Sequence, residues 1–134
     1  MYPSFILQPE GNSSLTIACY GYNFELVRQA AVELMMEREL FVEIVLFSQI
    51  SPFKLDPLFK SLERTQKLLT VEEGSLSLGW GAEVVARAIE RVDKLQVRRV
   101  AGHDLPIANS RTLEDAILPS VEDIVRAVVE LAGR

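Results

Sequence analysis

Leu68-Leu69-Thr70-Val71-Glu72-Glu73-Gly74, followed after a short gap by Gly79-Trp80-Gly81-Ala82-Glu83-Val84-Val85-Ala86, decides the reading of this chain. Lys67 to Val71 is a brief apolar run ending in charge and glycine, which suits a strand covered on both faces. Past Gly81 the period changes. Ala82, Val85, Ala86, Ile89 and Val92 recur at helical spacing, and Glu83 and Arg87 stand four residues apart on the other side. The stretch is therefore a strand, a glycine-punctuated loop and a helix whose alanines let it lie close to a sheet.

The same alternation continues in both directions. Toward the N-terminus, Ser4 to Gln8 is a short strand closed by the turn composition Pro9-Glu10-Gly11-Asn12, and Leu15 to Tyr20 is a second strand. Asn23 is placed to cap a helix reaching about Glu39, with Glu25 in its first turn and Phe24, Val27, Ala31, Leu34 and Met35 as its apolar face. Phe41 to Phe47, apolar except for Glu43, reads as another buried strand, broken by Ser51-Pro52. Asp56-Pro57 predicts a capped helix through about Arg64. Toward the C-terminus, Gln96 to Val100 is a last strand. After a loop rich in Gly, Pro and Asn, Ser120 caps a final helix with Val121, Ile124, Val125, Val128 and Leu131 inward, and Gly133 ends it. Strands alternating with single helices predict one α/β domain over residues 1–134, a three-layer α/β/α arrangement of a mostly parallel sheet with right-handed crossovers.

Composition narrows the function. With 134 residues, 49% hydrophobic and 25% charged, the chain has the balance of a packed core, and its net charge of −5 opposes nucleic acid binding. No apolar run approaches a membrane span, and Met1-Tyr2-Pro3-Ser4 does not resemble a secretory leader, so a cytoplasmic location is expected. Cys19 has no second cysteine to pair with, and one His with one Cys cannot build a structural zinc site.

Ligands of open α/β sheets gather at the carboxyl ends of strands, which directs attention to Gly21-Tyr22-Asn23, Glu72 to Gly81, and Gly102 to Arg111. The second of these loops precedes a helix N-terminus but has Glu72 and Glu73 in place of any Lys or Arg, so Gly74, Gly79 and Gly81 are read as turn and packing glycines rather than a phosphate cradle. Glu72 and Glu73 are neighbours on extended chain and face opposite ways, which denies them a joint acid–base role. A carboxylate accepting N–H bonds from its own loop or a nearby helix start is the expected function. His103-Asp104 with Ser110 lacks the elbow and separation of a nucleophile–base–orienter set. Arg98 and Arg99 diverge to opposite faces of their strand.

The ordered set of motifs resembles the C-terminal domain of the transketolase group. Besides the Val-Glu-Glu-Gly loop and the Gly-Ala-Glu helix start, it includes Leu15-Thr16-Ile17-Ala18-Cys19-Tyr20-Gly21, the run Val97 to Pro106 with Gly102-His103-Asp104-Leu105-Pro106, and Leu113 to Ile124. The last segment is most similar to the beta subunit of the thiamine-diphosphate-dependent, decarboxylating component of 2-oxoacid dehydrogenases. Pro106-Ile107-Ala108 departs from the Pro-x-Pro common in similar proteins. The resemblance implies five strands, the first antiparallel to the rest. It also implies that thiamine diphosphate and magnesium belong to other domains of a complete enzyme, since the Gly-Asp-Gly and Asn segment and the activating glutamate are unmatched here. No catalytic, cofactor-binding or metal residue is then expected in this chain; Glu72, Glu73, Gly74, Gly79, Gly81 and Glu83 would serve the loop structurally. The implied partners are the enzyme's own cofactor-binding domains, a twofold-related subunit and an acyltransferase subunit-binding module, the last touching His103, Asp104, Ile107, Glu114 and Asp115. Three other readings remain open: a stand-alone scaffold of this fold, the equivalent domain of a transketolase or deoxyxylulose phosphate synthase, and a small-molecule enzyme using the strand-end cleft.

Overall fold

A computed structural model describes residues 4–8, 12–21, 23–48, 54–103 and 118–133. Its strands are β1 (Ser4–Leu7), β2 (Leu15–Tyr20), β3 (Val42–Phe47), β4 (Lys67–Ser75) and β5 (Gln96–Gly102). Its helices are α1 (Asn23–Arg38), α2 (Asp56–Thr65), α3 (Trp80–Arg91) and α4 (Val121–Ala132). They form one five-stranded sheet in the order β1-β3-β2-β4-β5. The β1–β3 pair is antiparallel and the other pairs are parallel. The expected three-layer fold with an antiparallel first strand is what the chain adopts.

Each face of the sheet has its own core, because the central strands alternate side chains between two helical layers. On one face Leu15, Ile17, Cys19, Leu69 and Val71 pack beneath α1 and α4. On the other Ala18, Val45, Phe47 and Leu68 pack beneath α2 and α3. Cys19 is fully buried, and burial pushes its thiol up to about 12. It therefore remains a protonated core residue at neutral pH.

Some local details differ from the sequence reading. Strand β4 runs on to Ser75 rather than stopping at Val71. In α2, Asp56 is the first helical residue, and Leu55 precedes the helix without a side-chain cap. The carboxylate thus acts on the helix dipole rather than as a cap. Asn23 likewise begins α1, with its side-chain amide buried and unbonded among the described residues. In α3 the inward positions are Gly81, Val84, Ala88 and then Val92, while Ile89 is 53% exposed. The helix is rotated relative to the expected Ala82–Val85–Ala86–Ile89 face because Gly81 presses on Thr70. Ser120 and Asp123 form the reciprocal capping box of α4, with Asp123 N–H to Ser120 Oγ at 3.2 Å and Ser120 N–H to Asp123 Oδ2 at 2.9 Å.

Glu43, which interrupts the apolar β3 sequence, is 5% exposed at the amino end of the sheet. Ser61 Oγ donates to it, and Arg64 meets it with two nitrogens at 3.0 and 3.2 Å. Thr16 Oγ1 lies 2.7 Å from both the Ser61 and Thr65 hydroxyls. The network satisfies a buried charge and ties α2 to β2 and β3. We expect Glu43→Gln, which keeps the shape but removes the charge, to cost about 1–2 kcal/mol in urea unfolding.

Candidate functional site

The parallel strands β2, β4 and β5 are neighbours, so their carboxyl ends share an edge, and β4 carries the loop that organises it. Side chains alternate along the extended chain: Glu72 is buried at 2% exposed, while Glu73 lies on the exposed side. Glu72 Oε2 accepts the backbone N–H of Gly81 at 3.0 Å, and the Trp80 N–H also donates to this carboxylate. Gly79, the residue before α3, has no side chain with which to cap the helix, so a glutamate from the preceding strand takes that place.

The glycines make the approach possible. A β-carbon on Gly79 would lie 2.1 Å from Glu72 Oε1 and 2.2 Å from the Ser75 carbonyl oxygen; on Gly81 it would lie 2.6 Å from Thr70 Oγ1. Gly74 is different, since a β-carbon there would make only ordinary contact at 3.8 Å. Trp80 then closes the turn, its ring edge-on to Tyr20 at 4.8 Å and to Phe47 at 5.4 Å.

Electrostatics follow from this burial. Desolvation raises the Glu72 carboxyl above its ordinary range, opposed by the Gly81 and Trp80 N–H groups and by Arg99. Burial, followed by the charges of Glu72 and Glu73, raises the Tyr20 phenol.

The loops also meet through backbone contacts. Leu76 N–H donates to Gly102 O at 3.1 Å, and Arg99 Nη1 donates to Leu76 O at 2.7 Å. Its neighbour Arg98 instead pairs with Glu130 at 3.2 Å. A cavity of about 560 Å³ opens between Asn23, Leu26, Glu73 and Leu118–Pro119, with Glu25 and Ser120 at its border. Glu25 is held at about 2 by hydrogen bonds from Arg28 and Gln29. A second cavity, of about 350 Å³, has Arg99, His103 and Asp123 in its wall.

His103 is exposed, and Glu83 sits on the solvent side of α3 in an ion pair with Arg87 at 2.9 Å. Asp104, Ile107, Glu114 and Asp115, like Ser110, lie outside the described residues. Among the described residues no three His, Cys, Asp or Glu side chains are grouped to hold a metal ion. Sequence reasoning overlooked the Tyr20–Phe47–Trp80 cluster; its signal was an aromatic at the end of each of two strands and another at the start of the helix.

This edge does not fit a diphosphate-bearing cofactor. The N–H groups at the start of α3 are held by Glu72, so the place an anion would take is already filled by a carboxylate. What the residues build is an internal clip between strand, loop and helix.

Comparison with known proteins agrees with this architecture. The model of the family described as "Transketolase, C-terminal domain" matches residues 6–124, and the chain belongs to that family. The Saccharomyces cerevisiae protein named pyruvate dehydrogenase E1 component subunit beta, mitochondrial, is 32% identical over 129 residues, covering 93% of this chain and 35% of the relative. Its Drosophila melanogaster namesake is 32% identical over 123 residues, covering 89% of this chain and 33% of the relative. The chain thus spans about a third of the length of these relatives. A solved split-gene transketolase, described as an inactive beta4 tetramer, superposes with a TM-score of 0.81 at 24% identity, covering 97% of this chain and 42% of that one.

Proposed function

We propose that this chain is the non-catalytic association and docking domain of a thiamine-diphosphate-dependent 2-oxoacid dehydrogenase of the pyruvate dehydrogenase E1 beta type. The observation that carries the reading is Glu72: the N-terminus of α3, to which the β4 loop leads, is filled by the protein's own carboxylate. Thiamine diphosphate and magnesium are then held by other parts of the complete enzyme, and this domain packs against them and against a twofold-related subunit. Titration calorimetry of the chain with thiamine diphosphate and magnesium is expected to give no binding heat; micromolar affinity would overturn the reading.

The acidic balance of the chain also suits a basic acyltransferase subunit-binding module, with His103, Asp104, Ile107, Glu114 and Asp115 as its contacts. Mixing the two in the calorimeter at low salt is expected to give heat that fades as salt is added. No heat at low salt removes this docking role. A cytoplasmic location is part of the proposal, and recovery of the chain in an organelle or membrane fraction of the source cells would overturn it.

A further inference from the structure

Helix α1 carries large apolar side chains outside the core as well as within it, set among charged residues. It turns Val27, Ala30 and Leu34 into the core, yet Val32, Met35 and Met36 are 45%, 41% and 74% exposed. Beside these side chains, where α1 passes the start of β3, lies a dent of about 140 Å³ lined by Arg28, Ala31, Val32, Met35, Leu40 and Phe41 among others. A cavity of about 150 Å³ takes up benzene, so the dent has room for one bulky apolar side chain. Methionine is unbranched and polarizable, and it moulds to whatever enters.

Charge selects the occupant. Glu33 and Glu39 lie three residues before and after Met36, Glu37 is adjacent, and all three are exposed without an ion pair among the described residues. Arg28 is already paired with Glu25 at 2.6 Å, and Arg38 and Arg126 of α4 line a groove with Glu33, so the three acids around Met36 still outnumber the cations near them. A second copy would bring like-charged rims together, and an anionic bilayer would be repelled.

We propose that this face docks a basic amphipathic segment of another polypeptide. One large apolar side chain enters the dent, Val32 and Met36 cover its apolar neighbours, and Lys or Arg side chains pair with Glu33, Glu37 and Glu39. The surface is separate from the strand-end edge, so the proposal does not depend on the docking role assigned there.

Methyl-labelled methionine NMR tests it on the 134-residue chain, using a synthetic leucine–lysine amphipathic peptide as the probe and a leucine–glutamate peptide of the same pattern as control. The Met35 and Met36 methyl signals are expected to shift saturably with the lysine peptide only. Affinity is expected to fall about tenfold in Met36→Lys and again in Glu33→Lys, exposed changes that leave the melting temperature in place. The proposal is overturned by methyl signals that ignore the lysine peptide or respond equally to both peptides. It is also overturned by shifts that grow with protein concentration in the absence of peptide and vanish in Met36→Lys, because a second copy then covers the face.

Discussion

Replacing Gly79 with alanine is expected to destabilise the fold by about 3 kcal/mol, the upper end of what overpacking usually produces. The backbone at Gly79 is extended, at φ −82° and ψ 171°, so the cost comes from space rather than from dihedral strain. The new methyl would meet Glu72 Oε1 at 2.1 Å and the Ser75 carbonyl oxygen at 2.2 Å. A side chain can swing away, but the carbonyl belongs to the strand end and moves only with the loop. Gly74→Ala, where the nearest atoms lie 3.8 Å away, is the matched control and is expected to change stability by less than about 1 kcal/mol. Urea unfolding of the two variants beside the parent measures the difference. Similar midpoints for both would show that the loop is looser than its contacts indicate.

Glu72→Ala is expected to cost about 3 kcal/mol, roughly a 10 °C fall in melting temperature. The change leaves the Gly81 and Trp80 N–H groups without their acceptor and empties the space between β4 and α3. Glu72→Gln retains an acceptor and is expected to lose less. Its pH dependence carries a further signature. Burial raises the folded-state carboxyl above its unfolded value, so the folded state holds the proton more tightly. The corresponding stability is fully present below the unfolded value, about 4.3, and is lost as pH rises through the folded one. The advantage of the parent over Glu72→Gln should therefore shrink between acidic and neutral pH. An advantage that grows over that interval would mean that the N–H bonds outweigh desolvation.

The fold was legible because its signals are local and repeated. The β2 run Leu15–Tyr20 appears with the bounds expected of it, since an unbroken apolar stretch between turn residues has few other uses. The antiparallel placement of β1 was different: four residues of edge strand carry no directional signal, and only the family likeness supplied it. Rotation of α3 was hidden for a related reason. Its sequence offers apolar residues at Val84, Val85, Ala88 and Ile89, and the choice among them is made by the glycine that lets the helix approach Thr70. At the strand-end edge, alternation of strands and helices was enough to bring the loops together. Which glutamate turns inward depended on how far β4 continues beyond Val71, a matter of pairing with β5 that no local pattern records.

Glu43 shows where pattern reading stops. A carboxylate within an apolar strand gives no notice of its partners, because Ser61 and Arg64 come from a helix eighteen or more residues away. The same holds for Asn23, whose capping composition is plain in the sequence but whose amide is turned inward without a hydrogen bond among the described residues.

The central claim is that the helix start beside the β4 loop is occupied from within and has no place for a cofactor phosphate. An amide NMR titration of the intact chain with thiamine diphosphate and magnesium, following Gly81 and Trp80, tests it most directly. Both resonances are expected to stay where they are up to millimolar ligand. A saturable shift of either at micromolar concentration would contradict it.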